Sequence, residues 1–167
     1  LSDISGEAVH LVQREGNNIL YIYKIEAKVG TIRMVSHVGM VHPMYCSGVG
    51  KAIMATLPEK EVKQIWNESI IEKKTDKTIT DIDEMMQVLE EVRKNGYALD
   101  DEENEEGVRC IAACLHGYSK EVKYAFSISG PVSRMTRERV EELAVDVKKV
   151  QEELSREDVL RLNKIHT

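Results

Sequence analysis

At 167 residues the chain suits one domain; with 42% hydrophobic and 31% charged residues it has the material for a packed core, which excludes a disordered chain. A formal net charge of -6 argues against a domain that grips a phosphate backbone, because such domains carry a clustered basic face. No apolar run approaches the ~20 residues that cross a bilayer, no signal peptide opens the chain, and Cys46, Cys110 and Cys114 lack CxxC spacing, so a soluble protein of the reducing cytoplasm with free thiols is expected. The chain opens at Leu1 and not at a methionine, which favours an excised fragment.

Glu7 to Arg14 and Ile19 to Ala27 read as two strands joined at Gly16, Asn17 and Asn18, residues that tolerate positive φ. Thr31 to Val38 adds a third strand, and Gly39 to Pro43 reads as a loop. Ser47 caps a helix from about Gly48 to Leu57, and Pro58 opens another reaching about Asn67. Ile70 to Ile79 is polar and irregular. Thr80 with Asp83 resembles a capping box for a helix through Asn95, closed by Gly96, with Ile82, Met86, Leu89 and Val92 as its buried stripe. Tyr97 to Asp100 is a strand, and the acidic run Asp101 to Glu106 repels itself into a solvated loop.

Val108 to Leu115 and Val122 to Ser129 pair around a turn at Gly117 to Lys120. A final helix from about Thr136 to Ser155 sets Val140, Leu143, Val147, Val150 and Leu154 on one face. The order of strands, helices, strands and helix predicts a mixed α/β (α+β) sandwich with an antiparallel sheet.

Strand alternation places Val108, Cys110, Ala112 and Cys114 on one face, and Ser127 and Ser129 with Ala125. A turn centred near Tyr118 and Ser119 sets Cys110 opposite Ser127 and Val108 opposite Ser129, so a thiol and two hydroxyls converge. Two readings are open: small polar groups that leave room for a ligand, or hydroxyls bonded to local backbone with cysteines packed as small apolar groups. Cys46-Ser-Gly-Val-Gly-Lys51 puts two glycines where a helix begins, an anion site or a plain N-cap with glycines for close packing. It is not a Walker A loop, which requires glycine at Tyr45 and a hydroxyl at Ala52.

The five histidines, His10, His37, His42, His116 and His166, show no metal-ligand spacing. His42 reads as a surface side chain, or with Asp100 and Cys110 as a tetrahedral set. A Cys–His–Asp triad can be composed from Cys110 or Cys46 with His42 and Asp100, but no sequence context of a cysteine enzyme surrounds them.

Three stretches taken together carry a resemblance. They are His42-Pro-Met-Tyr-Cys-Ser-Gly-Val-Gly-Lys-Ala52, Gly96-Tyr-Ala-Leu-Asp-Asp-Glu-Glu-Asn-Glu-Glu-Gly-Val-Arg-Cys-Ile-Ala-Ala113 and Ser127-Ile-Ser-Gly-Pro-Val-Ser-Arg134. They are similar to the effector-binding domain of bacterial IclR-type transcriptional regulators, over about Ile4 to Leu154. The resemblance implies a GAF- and PAS-like curved antiparallel sheet flanked by helices, joined in the parent protein to an N-terminal winged helix-turn-helix that this chain lacks. It implies a homodimer or homotetramer, DNA contact through that other domain and not through this chain, no membrane, and a small organic acid or sugar acid as effector.

The resemblance also assigns residues. Backbone N–H groups of Gly48 and Val49 hold the effector carboxylate, Asp100, Cys110, Ser127 and Ser129 form the polar wall, and Met34, His42 and Val108 shape the variable side. His42 stands where relatives that bind the smallest acids carry an aliphatic residue, which points to a larger or more hydroxylated ligand. No cofactor is expected; some relatives hold a metal in this pocket, which makes zinc on His42, Asp100 and Cys110 the alternative. Cys110 is expected as a contact and not as a nucleophile. The competing classes are a stand-alone ligand-binding or interaction module, marked by the absence of a helix-turn-helix encoded upstream, and a cysteine enzyme, marked by turnover lost in Cys110→Ser.

Overall fold

In a computed structural model the structure describes residues 1–30, 34–117 and 121–157. A short helix α1 (Ser2–Ser5) leads into β1 (Ala8–Glu15) and β2 (Asn18–Ile25). The hairpin closes as expected with Glu15 opposite Asn18, and Gly16 supplies the positive φ, 62°. Opposite Leu11 and Val12 the pairing passes from Tyr23 to Tyr21 and leaves out Ile22, a bulge that bends β2.

The third strand is not where the sequence placed it. Residues 34–38 form no strand, and 31–33 lie outside the described residues. β3 is Val41–Pro43, inside the expected loop, with His42 opposite Ile19. Two carbonyls that a strand would spend on a ladder are taken by the Lys24 ammonium, which donates to Ser36 O at 2.7 Å and Met34 O at 3.4 Å. Backbone pairing to β2 resumes at Gly39 and Met40 through Tyr21.

Helices α2 (Gly48–Met54), α3 (Glu59–Glu68) and α4 (Ile82–Asn95) follow, then β4 (Ala98–Asp101), β5 (Val108–Leu115), β6 (Tyr124–Pro131) and α5 (Arg137–Glu157). The six strands make one antiparallel sheet in the order β3-β2-β1-β6-β5-β4. Its two faces carry separate cores. Val12, Ala112, Cys114 and Ala125 pack with α2, α3 and α4, while Ile111, Ala113, Phe126 and Ile128 pack with Val140, Leu143 and Val147 of α5. The predicted α5 stripe holds throughout, with Val150 and Leu154 against the same cluster.

Ser47 caps α2 as expected, accepting from Gly50 N at 3.1 Å. Ser47→Ala is expected to cost ~1 kcal/mol, read as a Tm fall of roughly 2–4 °C for a domain of this size. Gly50 is a steric requirement: a Cβ there would lie 2.3 Å from Met44 O and 2.4 Å from Met44 Cα. The cap of α4 is Asp81 and not Thr80, its carboxylate accepting from Glu84 N at 2.9 Å. Met85 and not Met86 is the fully buried methionine of α4, with Ile82 and Met86 half-buried. Gly96 closes that helix at φ 81°.

The β5–β6 register is offset by two residues from the expected one: Cys110 faces Ser129, Ala112 faces Ser127, and Val108 faces Pro131. The connection from Leu115 to Tyr124 is longer than the assumed turn, whose centre at 118–120 lies outside the described residues. A slip of two preserves the faces, because side chains alternate with period two. Cys110, Ser127 and Ser129 therefore still share one face of the sheet.

Candidate functional site

The ladder sets two polar rows across the sheet. Ala8, Ser129, Cys110 and Asp100 lie side by side across β1, β6, β5 and β4, and His10, Ser127, Ala112 and Ala98 form the next row. The first turn of α2 lies over this face. A Cβ on Gly48 would stand 3.3 Å from Ala112 Cβ and 3.5 Å from Asp100 N, so glycine lets the helix start directly against β4 and β5. Between these elements and the 34–42 segment lies a cavity of about 350 Å³, within the ~300–1,000 Å³ typical of small-molecule sites. Gly48, Val49, Asp100, Cys110, Ser127, Ser129, Met34, His42 and Val108, the residues singled out in the sequence, all line it.

The acidic run is not a solvated loop. Glu103 is buried, and its carboxylate meets the buried Lys51 ammonium at 2.7 and 2.6 Å. Asp101 is held by Arg109 at 2.8 Å and Glu102 by Lys77 at 2.6 Å. Thr75 and Thr78 donate to the carbonyls of Glu102 and Glu103 at 2.6 Å. The cations of Lys51, Lys77 and Arg109, all outside the run, offset the repulsion that local sequence displays, and the two hydroxyls tie down its backbone. The turn is tight enough to hold Glu102 at φ 60°, a region few side chains adopt.

This turn orients Asp100. Its Oδ1 accepts from Glu103 N at 2.8 Å and Asn104 N at 3.4 Å, while Oδ2 lies 4.0 Å from Cys110 Sγ. Burial, with the Glu103 charge beside it, pushes the Asp100 carboxyl up to about 7. Burial and the Lys74 charge push His42 down to about 4, so its imidazole is neutral. His42 is buried and not a surface histidine: β3 carries it under the sheet edge, where Nε2 lies 3.3 Å from Cys46 Sγ.

That contact does not complete the triad. Asp100 is bonded to the backbone of its own turn, and burial pushes the Cys46 thiol up to about 12 and the Cys110 thiol higher still. Neither supplies a thiolate near neutral pH. Among the described residues no group of three or more His, Cys, Asp or Glu side chains is arranged to hold a metal ion, so the set of His42, Asp100 and Cys110 is not assembled as metal ligands.

Sequence reasoning missed His10, Tyr21, Ser36, Lys74 and Asn104, which also line the cavity, and the Lys51–Glu103 pair beneath it. One signal was available for His10: it alternates with Ala8 and Val12 on the inward face of β1. The others come from irregular segments or from β2, where no period marks an inward side chain.

A helix-covered antiparallel sheet enclosing a cavity with polar side chains in its wall defines a ligand-binding domain. The chain belongs to the IclR family of transcriptional regulators: the family described as Bacterial transcriptional regulator IclR C-terminal matches residues 1–156. It is 37% identical to the HTH-type transcriptional regulator KdgR of Escherichia coli over 142 residues, 85% of this chain and 54% of that protein. It is 36% identical to the E. coli repressor AllR over 136 residues, 81% of this chain and 50% of AllR. The crystal structure of the Thermotoga maritima IclR superposes with a TM-score of 0.87 at 38% identity, covering 92% of this chain and 62% of that one. The C-terminal domain of E. coli KdgR superposes at 0.81 with 32% identity, covering 92% and 88%. The chain spans about half the length of the curated relatives it matches, and these relatives are regulators, not enzymes. No helix among the described residues is long and apolar enough to cross a membrane.

Proposed function

We propose that the chain senses a small organic acid or sugar acid and thereby controls DNA binding by a winged helix-turn-helix domain of the same polypeptide, within a homodimer or homotetramer. The observation that carries this reading is the cavity of about 350 Å³, kept open where a plain core would be filled by large apolar side chains. An α-helix offers no internal acceptor to its first N–H groups, so those of Gly48 and Val49 receive the carboxylate. Asp100, Ser127 and Ser129 bond the hydroxyl or carbonyl oxygen, and Cys110 contributes a contact. Lys74 brings a cation to the same wall. The neutral His42 imidazole, able to donate and to accept, favours a sugar acid over a two-carbon acid. Binding alters DNA affinity to the extent that the ligand prefers one arrangement of the assembled protein.

The test is a thermal-shift screen with glyoxylate, pyruvate, aldonates and uronates. A bound acid at a hundred times its Kd stabilises by ~2.7 kcal/mol, a rise of roughly 5–10 °C at this size. Asp100→Ala and Ser129→Ala are expected to abolish that rise. A screen in which no acid raises the Tm, or a rise unchanged in both variants, overturns the assignment. Preference for glyoxylate over every aldonate and uronate overturns the sugar-acid choice alone.

A further inference from the structure

His10 is only 2% exposed, and it occupies an inward position of β1 whose neighbours on that face, Ala8 and Val12, are apolar and buried. A side chain present for packing alone would be aliphatic there. Its ring is fixed on two sides: Nε2 lies 2.8 Å from Ser36 Oγ, and Tyr21 meets the ring edge-on at 5.3 Å between centroids. The other nitrogen is poorly served. Nδ1 lies 3.4 Å from Ser127 Oγ and 3.5 Å from Ser129 Oγ, and those two hydroxyls are 3.4 Å apart.

Hydrogen bonds of these kinds close at about 2.7–3.2 Å from nitrogen and about 2.5–3.0 Å between oxygens. Three polar atoms on the wall of a cavity thus form a triangle whose sides are all too long for strong bonds within it. An oxygen seated over the triangle gains contacts that its members do not supply to one another. Burial pushes His10 down to about 4, so the imidazole is neutral, with one donor and one acceptor nitrogen. The two hydroxyls each donate or accept, so the triangle suits a hydroxyl, which returns both kinds of bond, better than a carbonyl oxygen, which only accepts.

Position adds a length requirement. Gly48 abuts Asp100 and Ala112 on β4 and β5, whereas His10 stands on β1, beyond Ser127 and Ser129 of β6. An acid anchored at Gly48 meets Asp100 first, and only a longer carbon chain brings a further oxygen over the triangle of His10, Ser127 and Ser129.

We propose that His10 is a specificity-determining residue of the cavity, reading with Ser127 and Ser129 a hydroxyl on the distal chain of a five- or six-carbon hydroxy acid and so selecting such acids over two- and three-carbon keto acids. This rests on the acid-sensing reading above. The test is calorimetric titration of the 167-residue chain with gluconate, galacturonate, glyoxylate and pyruvate, in wild type, His10→Phe and His10→Gln, after ligand-free melting has established that each folds.

Wild type is expected to prefer one of the two six-carbon acids. His10→Phe is expected to weaken that acid about tenfold, as for one lost hydrogen bond, and to leave the short acids within about twofold. Glutamine, which keeps a donor and an acceptor, recovers part of the loss; if the phenylalanine variant does not fold, His10→Gln and Ser36→Ala carry the comparison, with a smaller loss confined to the six-carbon acid. An unchanged six-carbon affinity, or equal weakening of all four acids, overturns the role of His10. Wild type binding only the short acids overturns this inference and leaves acid sensing intact; no binding of any of the four removes both.

Discussion

Replacing Lys51 by methionine is expected to destabilise the fold by about 3–5 kcal/mol, because it strands a buried carboxylate. The Lys51 and Glu103 side chains are 3% and 8% exposed, and both Glu103 oxygens rest on the ammonium. After the substitution the bond from Asp101 N to Glu103 Oε2, 3.0 Å, is all that these contacts leave to the charge. At ~2–4 °C per kcal/mol for this size, the Tm is expected to fall by roughly 6–20 °C. Lys51→Met with Glu103→Leu removes both charges and is expected to recover most of the loss, since buried pairs exchange for apolar residues at little net cost. Urea denaturation of the two variants measures this. A single-variant loss under ~1 kcal/mol, the range of an exposed pair, contradicts the assignment. The pair also ties α2, through Lys51, to the turn whose amides hold Asp100, so the ligand-induced Tm rise is expected to vanish with it.

The contrast between that ion pair and the predicted acidic loop shows where local sequence stops being informative. Six consecutive residues, Asp101 to Glu106, five of them acidic, repel one another in an isolated peptide, and nothing within the run announces Lys51, Lys77 or Arg109 as partners. Periodic features were legible because their information is local. The β1–β2 hairpin, the α5 stripe and the shared face of Cys110, Ser127 and Ser129 all follow from periods of two or 3.6. The same periodicity explains why a register error of two residues left the composition of the cavity wall intact while changing which residues face each other. Two features escaped because tertiary contacts override local signals. Lys24 captures the carbonyls of a segment that otherwise reads as a strand, and β3 forms at Val41–Pro43 because β2 offers it an edge. His42 reads as exposed until that pairing draws it inward. The glycines of the Cys46–Lys51 segment were legible as sites of close approach, but Met44 and Ala112 as the groups approached were not.

Asp100→Asn is expected to stabilise the protein at pH 8 while leaving it nearly unchanged at pH 4. Burial and the Glu103 charge hold this carboxyl at about 7 in the folded protein, against an ordinary 3.8. Between those values the native chain keeps a proton that the unfolded chain has released. Stability therefore falls as pH rises, by ~1.4 kcal/mol per unit across the window. The contribution is fully present below about pH 4 and lost once the pH has passed about 7, a total of at most ~4 kcal/mol. Asparagine does not ionise, and its oxygen still accepts from Glu103 N and Asn104 N, so its urea midpoint lacks this component of the fall. The difference between the two proteins, followed from pH 4 to 8, isolates Asp100 from every other titrating group; parallel curves contradict the assignment. A carboxyl retained where its amide is the more stable choice lies in the wall of the cavity and not in the packed core. Stability given up at such a place is expected where a side chain must meet a ligand as well as its own fold. Near neutral pH, Asp100 Oδ2 offers either a donor or an acceptor to an oxygen beside it, a choice that asparagine, with its NH2 turned toward Cys110, does not have.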